Sequence, residues 1–401
     1  MKILVLNYEF PPLGGGAANA AYHLMREFAR TSDLSFEVVT SSTGARSVEL
    51  FSPNIRVHFL DIGKKGDLHF QTYRDLITYS WKSFRYSKSL LSHEKCDLCH
   101  AFFGIPCGYI ASRLRLPYIV SLRGSDVPFF NERFRIADRL LFKRMSVKVW
   151  RKARRVVANS EGLRELARRT SPGQAIDLVP NGVDADTFAP LYKGGSRGDS
   201  SPAGTLPIPP TPLEPTGATV RVICVARLIR RKRIDVLIRA MAQLRGKNVS
   251  LHLAGTGNEE GNLKDLAREM GVEDRVHFEG YVDHDRIPAF YQSGDMFVLP
   301  SVNEGMSNTV LEAMACGLPV LMNDTGGASE LLEEGVNGFL LGKDDVSDVV
   351  EKISRYLDSP ELRRRHGCEA RKKAEGLSWR SVADQYAEIY REVASTFGEE
   401  S

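Results

Sequence analysis

A chain of 401 residues is long enough to bury two separate cores. Hydrophobic residues make up 42% and charged residues 26%, which fits a globular enzyme and excludes a disordered, collagen-like or disulfide-stapled chain. With 54 basic against 50 acidic residues the net charge is only +4, so global charge names no polyanionic partner.

The chain opens with "KILVLNY", which reads as a strand, and "EFPPLGGG", a glycine-rich turn feeding a helix from about Ala17 to Arg30. Asn7 and Glu9 break the apolar start, making it a poor secretory leader, and no apolar stretch approaches the roughly 20 residues that span a bilayer. A cytoplasmic protein is the expectation. Further strands are expected at "FEVVT", "IRVHFL", "DLCHAF", "YIVSL" and "RVVANS", with helices between them, an alternation that implies a parallel sheet covered on both faces. The six cysteines lie in or beside apolar runs and read as reduced core thiols. "CDLCH" matches a haem-attachment motif, but it also reads as a buried strand entering a loop, and that reading is preferred.

Residues 133 to 155 hold ten Lys or Arg and one acid, Asp138. Phe134, Ala137, Leu141, Met145 and Val149 fall near helical spacing, giving a basic amphipathic helix that either lies on an anionic membrane or packs on the core with a solvated basic face. No stacking platform or recognition motif accompanies the charge, so nucleic acid is set aside. Near residue 190 Gly, Ser and Pro take over, and residues 191 to 219 read as a linker. A second alternating series follows: "VRVICVARL", "VSLHLAG", "VHFEGYV", "DMFVLP", "PVLMN" and "GFLL". The expected organisation is a Rossmann-like domain (1–190), the linker (191–219), a second Rossmann-like domain (220–375) and a terminal helix (376–401) crossing back onto the first domain. Ligands of such sheets sit beyond the carboxyl ends of the strands, so the glycine-rich turns should face the cleft.

Three stretches carry candidate chemistry. "VARLIRRKRID" puts Arg227 at a strand end and Lys232 at the approach to a helix, either as a diphosphate site or as a solvated basic turn. Gly255 and Gly257 in "LAGTGNEEGNL", like Gly14, Gly15 and Gly16, either let backbone amides approach a ligand or serve tight turns. In "NEGMSNTVLEAMACGLPV", Glu304 sits on a strand-to-helix loop and Glu312 about one turn inside the helix. Ser307 or Asn308 is the expected N-cap, and a helix start preceded by small residues suits a phosphate or a sugar; a capped surface helix with two solvated acids is the alternative. "DAD" at Asp184 to Asp186 resembles a metal-binding pair but belongs to a turn in "VPNGVD", and is set aside.

Taken together, "VARLIRRKRID", "LAGTGNEEGNL", "FEGYV", "PSVNEGMSNTVLEAMACGLPV", "NDTGGASELL" and "SWRSVADQY" resemble, in order and spacing, the C-terminal half of the family 4 glycosyltransferases. "PPLGGG", "RVVANS" and "VPNGVD" agree in the first half. The resemblance implies an α/β protein of the GT-B fold, two Rossmann-like domains facing across a cleft. It also implies a retaining, metal-independent hexosyltransferase with a nucleotide-diphosphate sugar as co-substrate and no further cofactor. The implied acceptor is a hydroxyl of a glycan or lipid-linked saccharide in cell-surface polysaccharide synthesis.

By the same resemblance Arg227 and Lys232 would hold the donor diphosphate, Glu304 the sugar hydroxyls and Glu312 the ribose. Gly305, Met306, Ser307 and Asn308 would grip sugar and phosphate through their amides, Tyr281 and Val282 would flank the base, and Gly15 and Gly16 would approach from across the cleft. Many relatives carry His-Gly where this chain has "SLRGSD", so Arg123 stands where a histidine often touches the donor sugar. Being always protonated, Arg123 is no base; it binds substrate, supports the leaving phosphate or is structural. His100 is the other histidine at a strand end of this half. A nucleotide-sugar epimerase, a sugar phosphorylase and a non-catalytic sugar-nucleotide binder remain as alternatives.

Overall fold

A computed structural model describes the chain except residues 65–70, 131–137, 191–218, 284 and 400–401. The first half contains β1 (Lys2–Leu6), β2 (Ser35–Ser42), β3 (Ser47–Ser52), β4 (Ile55–Asp61), β5 (Leu98–Phe102), β6 (Tyr118–Leu122), β7 (Arg155–Ala158) and β8 (Asp177–Leu178). Its helices are α1 (Gly16–Phe28), α2 (Tyr73–Leu90), α3 (Tyr109–Ala111), α4 (Lys143–Lys152) and α5 (Glu161–Thr170). The sheet order is β3-β4-β2-β1-β5-β6-β7-β8, parallel except for the antiparallel edge pair β3–β4. Right-handed crossovers put α1 on one face and α2, α3, α4 and α5 on the other.

The second half contains β9 (Val220–Val225), β10 (Val249–Ala254), β11 (Val276–Gly280), β12 (Met296–Leu299), β13 (Val320–Asn323) and β14 (Gly338–Leu341). These pair in parallel in the order β11-β10-β9-β12-β13-β14. Between them run α6 (Ile234–Gln243), α7 (Glu260–Glu269), α8 (Ile287–Gln292), α9 (Asn308–Ala315) and α10 (Ala328–Leu331), followed by α11 (Val346–Asp358) and α12 (Pro360–Glu375). The strand order reverses between β9 and β12, and a crevice opens beyond their carboxyl ends.

The last helix, α13 (Trp379–Glu399), returns to the first half. Trp379, Val382, Tyr386, Tyr390 and Val393 are buried in that core, and Trp379 stacks on His23 at 5.5 Å. The outward crossing comes earlier than composition suggested, because Val183 and Phe188 already belong to the second core. Val183 N–H donates to Leu377 O at 2.8 Å, so the outward and return passes run side by side. Of the segments singled out in sequence, 133–137, with Phe134 and Ala137, and linker residues 191–218 lie outside the described residues. Within the rest of the basic segment Lys143–Lys152 forms α4, with Met145 half-buried and Val149 buried, while Leu141 before it is 55% exposed and Arg155 opens β7. All six cysteines are free thiols, five of them buried.

Candidate active site

Two loops build the floor of the crevice. After β9 the chain makes a tight 3-10 turn, Arg230–Lys232, and the left-handed Arg233 (φ 52°) redirects it into α6. After β12 it runs through Pro300 to Ser307 and enters α9. The loops are tied together where Val302 N–H donates to Arg231 O at 3.0 Å and Arg231 Nη1 to Asn303 O at 2.8 Å. Lys232 Nζ lies 2.5 Å from Glu304 Oε1, with side chains only 10% and 12% exposed. Ser301 Oγ donates to the same oxygen at 2.6 Å, and Arg231 stands 4.0 Å away. Burial pushes the Glu304 carboxyl up, but the charges of Lys232 and Arg231 and the hydrogen bonds from Lys232 and Ser301 outweigh it and keep Glu304 ionised. Arg227, two residues beyond β9, is exposed at the rim.

Glu312 is one turn inside α9 and meets no such cation. Its Oε2 accepts from Tyr291 Oη at 2.8 Å, and burial, only partly offset by that bond, pushes the carboxyl up to about 7. The two acids differ in charge state near neutrality, Glu304 ionised beside its cation and Glu312 raised beside a core tyrosine. Between them Ser307 is the N-cap, yet its side chain caps no backbone N–H of α9; its Oγ pairs instead with Thr309 Oγ1 at 3.1 Å. The first-turn amides are thereby left available to an anion.

The first half closes over this helix start. Asn308 Nδ2 donates to Gly16 O at 3.1 Å, while Asn181 Nδ2 donates to Asn308 Oδ1 at 2.8 Å and to Met306 O at 3.3 Å. Asn303 donates to Phe130 O, Glu161 N–H at the start of α5 donates to the Glu330 carboxylate, and Gly162 N–H donates to Gly326 O at 2.9 Å. Gly15 has open space around it, but its N–H points to Glu9 Oε2 at 3.4 Å, so the start of α1 already faces a carboxylate.

Two family models match the chain: "Glycosyltransferase Family 4" over residues 14–187 and "Glycosyl transferases group 1" over residues 214–373. The chain is a family 4 glycosyltransferase. It is 32% identical over 285 residues to a D-inositol 3-phosphate glycosyltransferase of Nocardiopsis dassonvillei, covering 68% of this chain and 61% of that one. A second such enzyme, from Thermobifida fusca, is 30% identical over 72% of this chain and 65% of its own length. The chain thus spans somewhat under two thirds of these relatives. Its fold matches sucrose-phosphate synthase of Thermosynechococcus elongatus (TM-score 0.83, 23% identity, 99% of this chain and 100% of that one). It also matches Anabaena HepE in complex with UDP and glucose (TM-score 0.73, 22% identity, 98% and 99%).

Two sequence expectations, for the glycine pair and for His100, fail in this family 4 glycosyltransferase, and Arg123 makes the contacts of its structural reading. Gly255 and Gly257 do not open the loop to a ligand: a Cβ at Gly255 would lie 2.9 Å from the Ala226 carbonyl carbon, and one at Gly257 2.5 Å from that of Leu228. Both glycines let the β10 loop pack on the β9 exit, and Gly255 N–H is spent on Gly280 O at 2.7 Å. His100 is a satisfied core histidine, with Nδ1 at 2.7 Å from Tyr390 Oη and Nε2 at 2.7 Å from Ser121 Oγ, and burial beside Arg123 keeps it neutral. Arg123 is a brace: Nη1 donates to Asn181 Oδ1 at 2.9 Å, Nη2 reaches Tyr386 Oη at 3.3 Å, and the guanidinium lies over the Phe102 ring. Tyr281 is 61% exposed past β11, whereas Val282 packs on the second core.

Asn181 was missed in sequence, although "VPNGVD" contained it. It joins the Arg123 brace to the glycosyltransferase's α9 entry, and Asn181→Ala leaves the Arg123 guanidinium and the Asn308 amide without this partner. We expect a loss of about 1–3 kcal/mol in urea unfolding and a donor KM that rises more than kcat falls. An unchanged KM would reduce Asn181 to a structural tie.

Proposed function

We propose that the chain transfers a hexosyl group from a nucleotide-diphosphate sugar to a hydroxyl acceptor, with retention at the anomeric carbon and without a metal. The observation that carries this reading is the buried Lys232–Glu304 pair at the strand-order switch, beside the uncapped start of α9 and beneath Gly16. Lys232 and the exposed Arg227 are the cations for the diphosphate. They stabilise charge that grows as the bond between the anomeric carbon and the phosphate oxygen breaks, a contribution that is largest in the transition state. The amides of Gly305 to Asn308 add the positive end of the α9 dipole. Glu304, already ionised, accepts hydroxyls of the donor sugar. The acceptor oxygen attacks from the leaving group's own face and passes its proton to the departing phosphate oxygen, so no enzymic nucleophile is required.

Glu312 accepts the ribose hydroxyls, and Tyr281 and Val282 flank the base. A glycan or lipid-linked saccharide is the proposed acceptor class, in cell-surface polysaccharide synthesis. The proposed location is cytoplasmic, with residues 133–155 resting on an anionic inner membrane face. No described helix is long and apolar enough to cross a membrane.

Thermal-shift titration with uridine, guanosine and adenosine diphosphate sugars tests the reading, with uridine first because HepE binds UDP. Because burial raises Glu312 to about 7, the carboxyl is protonated below that pH and loses acceptor capacity for the ribose hydroxyls. Donor affinity should therefore rise as pH rises through about 7 and level off above it, and Glu312→Gln should flatten the profile. A pH-independent affinity, or transfer that yields an altered free sugar without an acceptor, would overturn the assignment.

A further inference from the structure

The two edges of the second sheet are finished differently. At β14 the outward backbone groups are taken: Leu340 N–H donates to the Glu334 carboxylate at 2.5 Å and Leu340 O accepts from Lys352. At β11 the ladder to β10 uses the odd-numbered residues, since Leu251 stands opposite Val276 and its N–H donates to Arg275 O at 2.8 Å. The backbone groups of Val276 and Phe278 therefore point outward. Val276 N–H is held by Val272 O at 3.1 Å, but among the described residues nothing bonds Val276 O or the N–H and O of Phe278. An edge left open in this way is a template for another strand.

The side chains select the strand. Arg275, His277 and Glu279 share one face of β11, and Val276 and Phe278 share the other. The first face is open, with a hollow of about 410 Å³ beside it lined by Arg221, Ser250, His252, Asp274, Arg275 and His277. Glu279, 37% exposed, accepts from His252 Nδ1 at 2.8 Å, and the nearest carboxylate to Arg275 among the described residues is that of Asp274, at 4.0 Å.

Charges that guard an edge work by repelling a copy of it. Here the signs are opposite, and each charge stands two residues from His277. A second copy laid antiparallel about His277 sets Arg275 against Glu279 twice, Val276 against Phe278 twice and His277 against itself. The backbone agrees with that register, because Phe278 N–H then meets Val276 O of the copy. The charged pairs fall at non-hydrogen-bonded positions, where facing side chains are closest. The register shift opposite Leu253 and Ala254 ends the match at Gly280. The outer edge of the first sheet offers no such match, since the single charge of β3, Glu49, would meet its own copy in a pairing centred there.

We propose that β11 pairs antiparallel with β11 of a second copy about a two-fold axis through His277, joining the two second-half sheets edge to edge. The crevices beyond their carboxyl ends then open at opposite ends of the pair. The pairing is independent of whether the sugar transfer is correctly assigned.

The interface is small and of the transient kind, so the full chain should associate reversibly to twice its 44.7 kDa at concentrations of roughly 10–500 µM in sedimentation equilibrium. Added salt, which screens the four facing charges, should weaken the association. Arg275→Glu alone and Glu279→Arg alone set like charges opposite each other, and each should weaken it at least tenfold. Mixed in equal amounts, these two variants should associate one to one as tightly as the parent chain, because every facing pair is again of opposite sign. A chain carrying both changes should pair with itself. An independent readout of register is His277→Cys in a Cys368→Ser chain, whose five remaining native cysteines are buried. A non-hydrogen-bonded pair on the axis brings the two Cα atoms within disulfide reach, so mild oxidation should cross-link the copies.

Four results would each overturn the inference: the mass of a single chain throughout that concentration range, single variants that associate as tightly as the parent, a mixture that fails to associate, or a His277→Cys chain that stays uncross-linked.

Discussion

Lys232→Met should lower kcat about a thousandfold and also destabilise the fold, and the two losses should separate in a double variant. The catalytic loss follows from removing a preorganised cation from a water-poor site, where a single such donor is worth roughly 10²–10³ in rate. The stability loss has a different origin. With Lys232 gone, Glu304 stays nearly buried and keeps only Ser301 and the more distant Arg231. An uncompensated buried charge typically costs about 3–5 kcal/mol, and with each partner about a tenth exposed, roughly 2–3 kcal/mol is expected.

Lys232→Met combined with Glu304→Gln removes the stranded charge, so the urea midpoint should recover most of its loss. The turnover number should not. If the double variant recovers activity along with stability, the pair serves the fold and the proposed site chemistry is wrong. If Lys232→Met leaves stability untouched, the carboxylate finds another partner and the ion pair is not the organising feature of these loops.

How much could be read in the chain itself follows from which forces are local. Most strands of the second sheet were legible because strands covered on both faces are continuous apolar runs, as in "MFVL" and "VSLHLA", whereas the edge strand β11, "VHFEG", alternates along its length. The edge strand β3 was not: in "SVELFS", Val48 and Leu50 face water, and nothing apolar in the pattern marks a strand made by pairing with β4. Strand β8 is two residues long and equally silent.

For Glu304, Glu312 and Lys232 the motifs that contain them gave the loop and helix on which each lies. The misreadings concern what a glycine or a histidine is for. A glycine whose missing side chain admits Leu228 and one that admits a phosphate look alike in sequence, and Gly257 proved to be the first kind. His100 lost its candidacy to Tyr390, a partner 290 residues away on a helix whose docking only the fold reveals. Asn181 and the Gly162–Gly326 contact lay within quoted motifs, but their partners sit across the cleft, and no local period announces such a pairing.

That last contact supports the other large prediction. Gly162→Val should reduce kcat/KM for transfer about a hundredfold while leaving donor binding by the second half nearly intact. Gly162 lies at the start of α5, and a Cβ there would stand 2.6 Å from Gly326 O and 2.9 Å from its carbonyl carbon, so a side chain forces the halves apart. Gly326 in turn backs the donor loop, where its own missing Cβ would be 3.2 Å from Glu304 O. Moving this junction by about 1 Å misplaces the first half, with Gly16 and the acceptor side, against the reacting centre, and errors of that size can cost 10²-fold.

The contacts that hold Lys232 to Glu304 and Tyr291 to Glu312 do not pass through Gly162, so the donor thermal shift should persist. Gly261→Ala, where a Cβ would meet nothing within 4 Å, is the matched control and should leave the rate unchanged. X-ray scattering supplies the independent readout: the valine variant should show a larger radius of gyration in the presence of donor than the parent chain. An unchanged kcat/KM with an unchanged radius would mean that the Gly162–Gly326 contact yields without cost and that closure is secured by the other contacts across the cleft, those of Asn181, Asn303, Asn308 and Glu161.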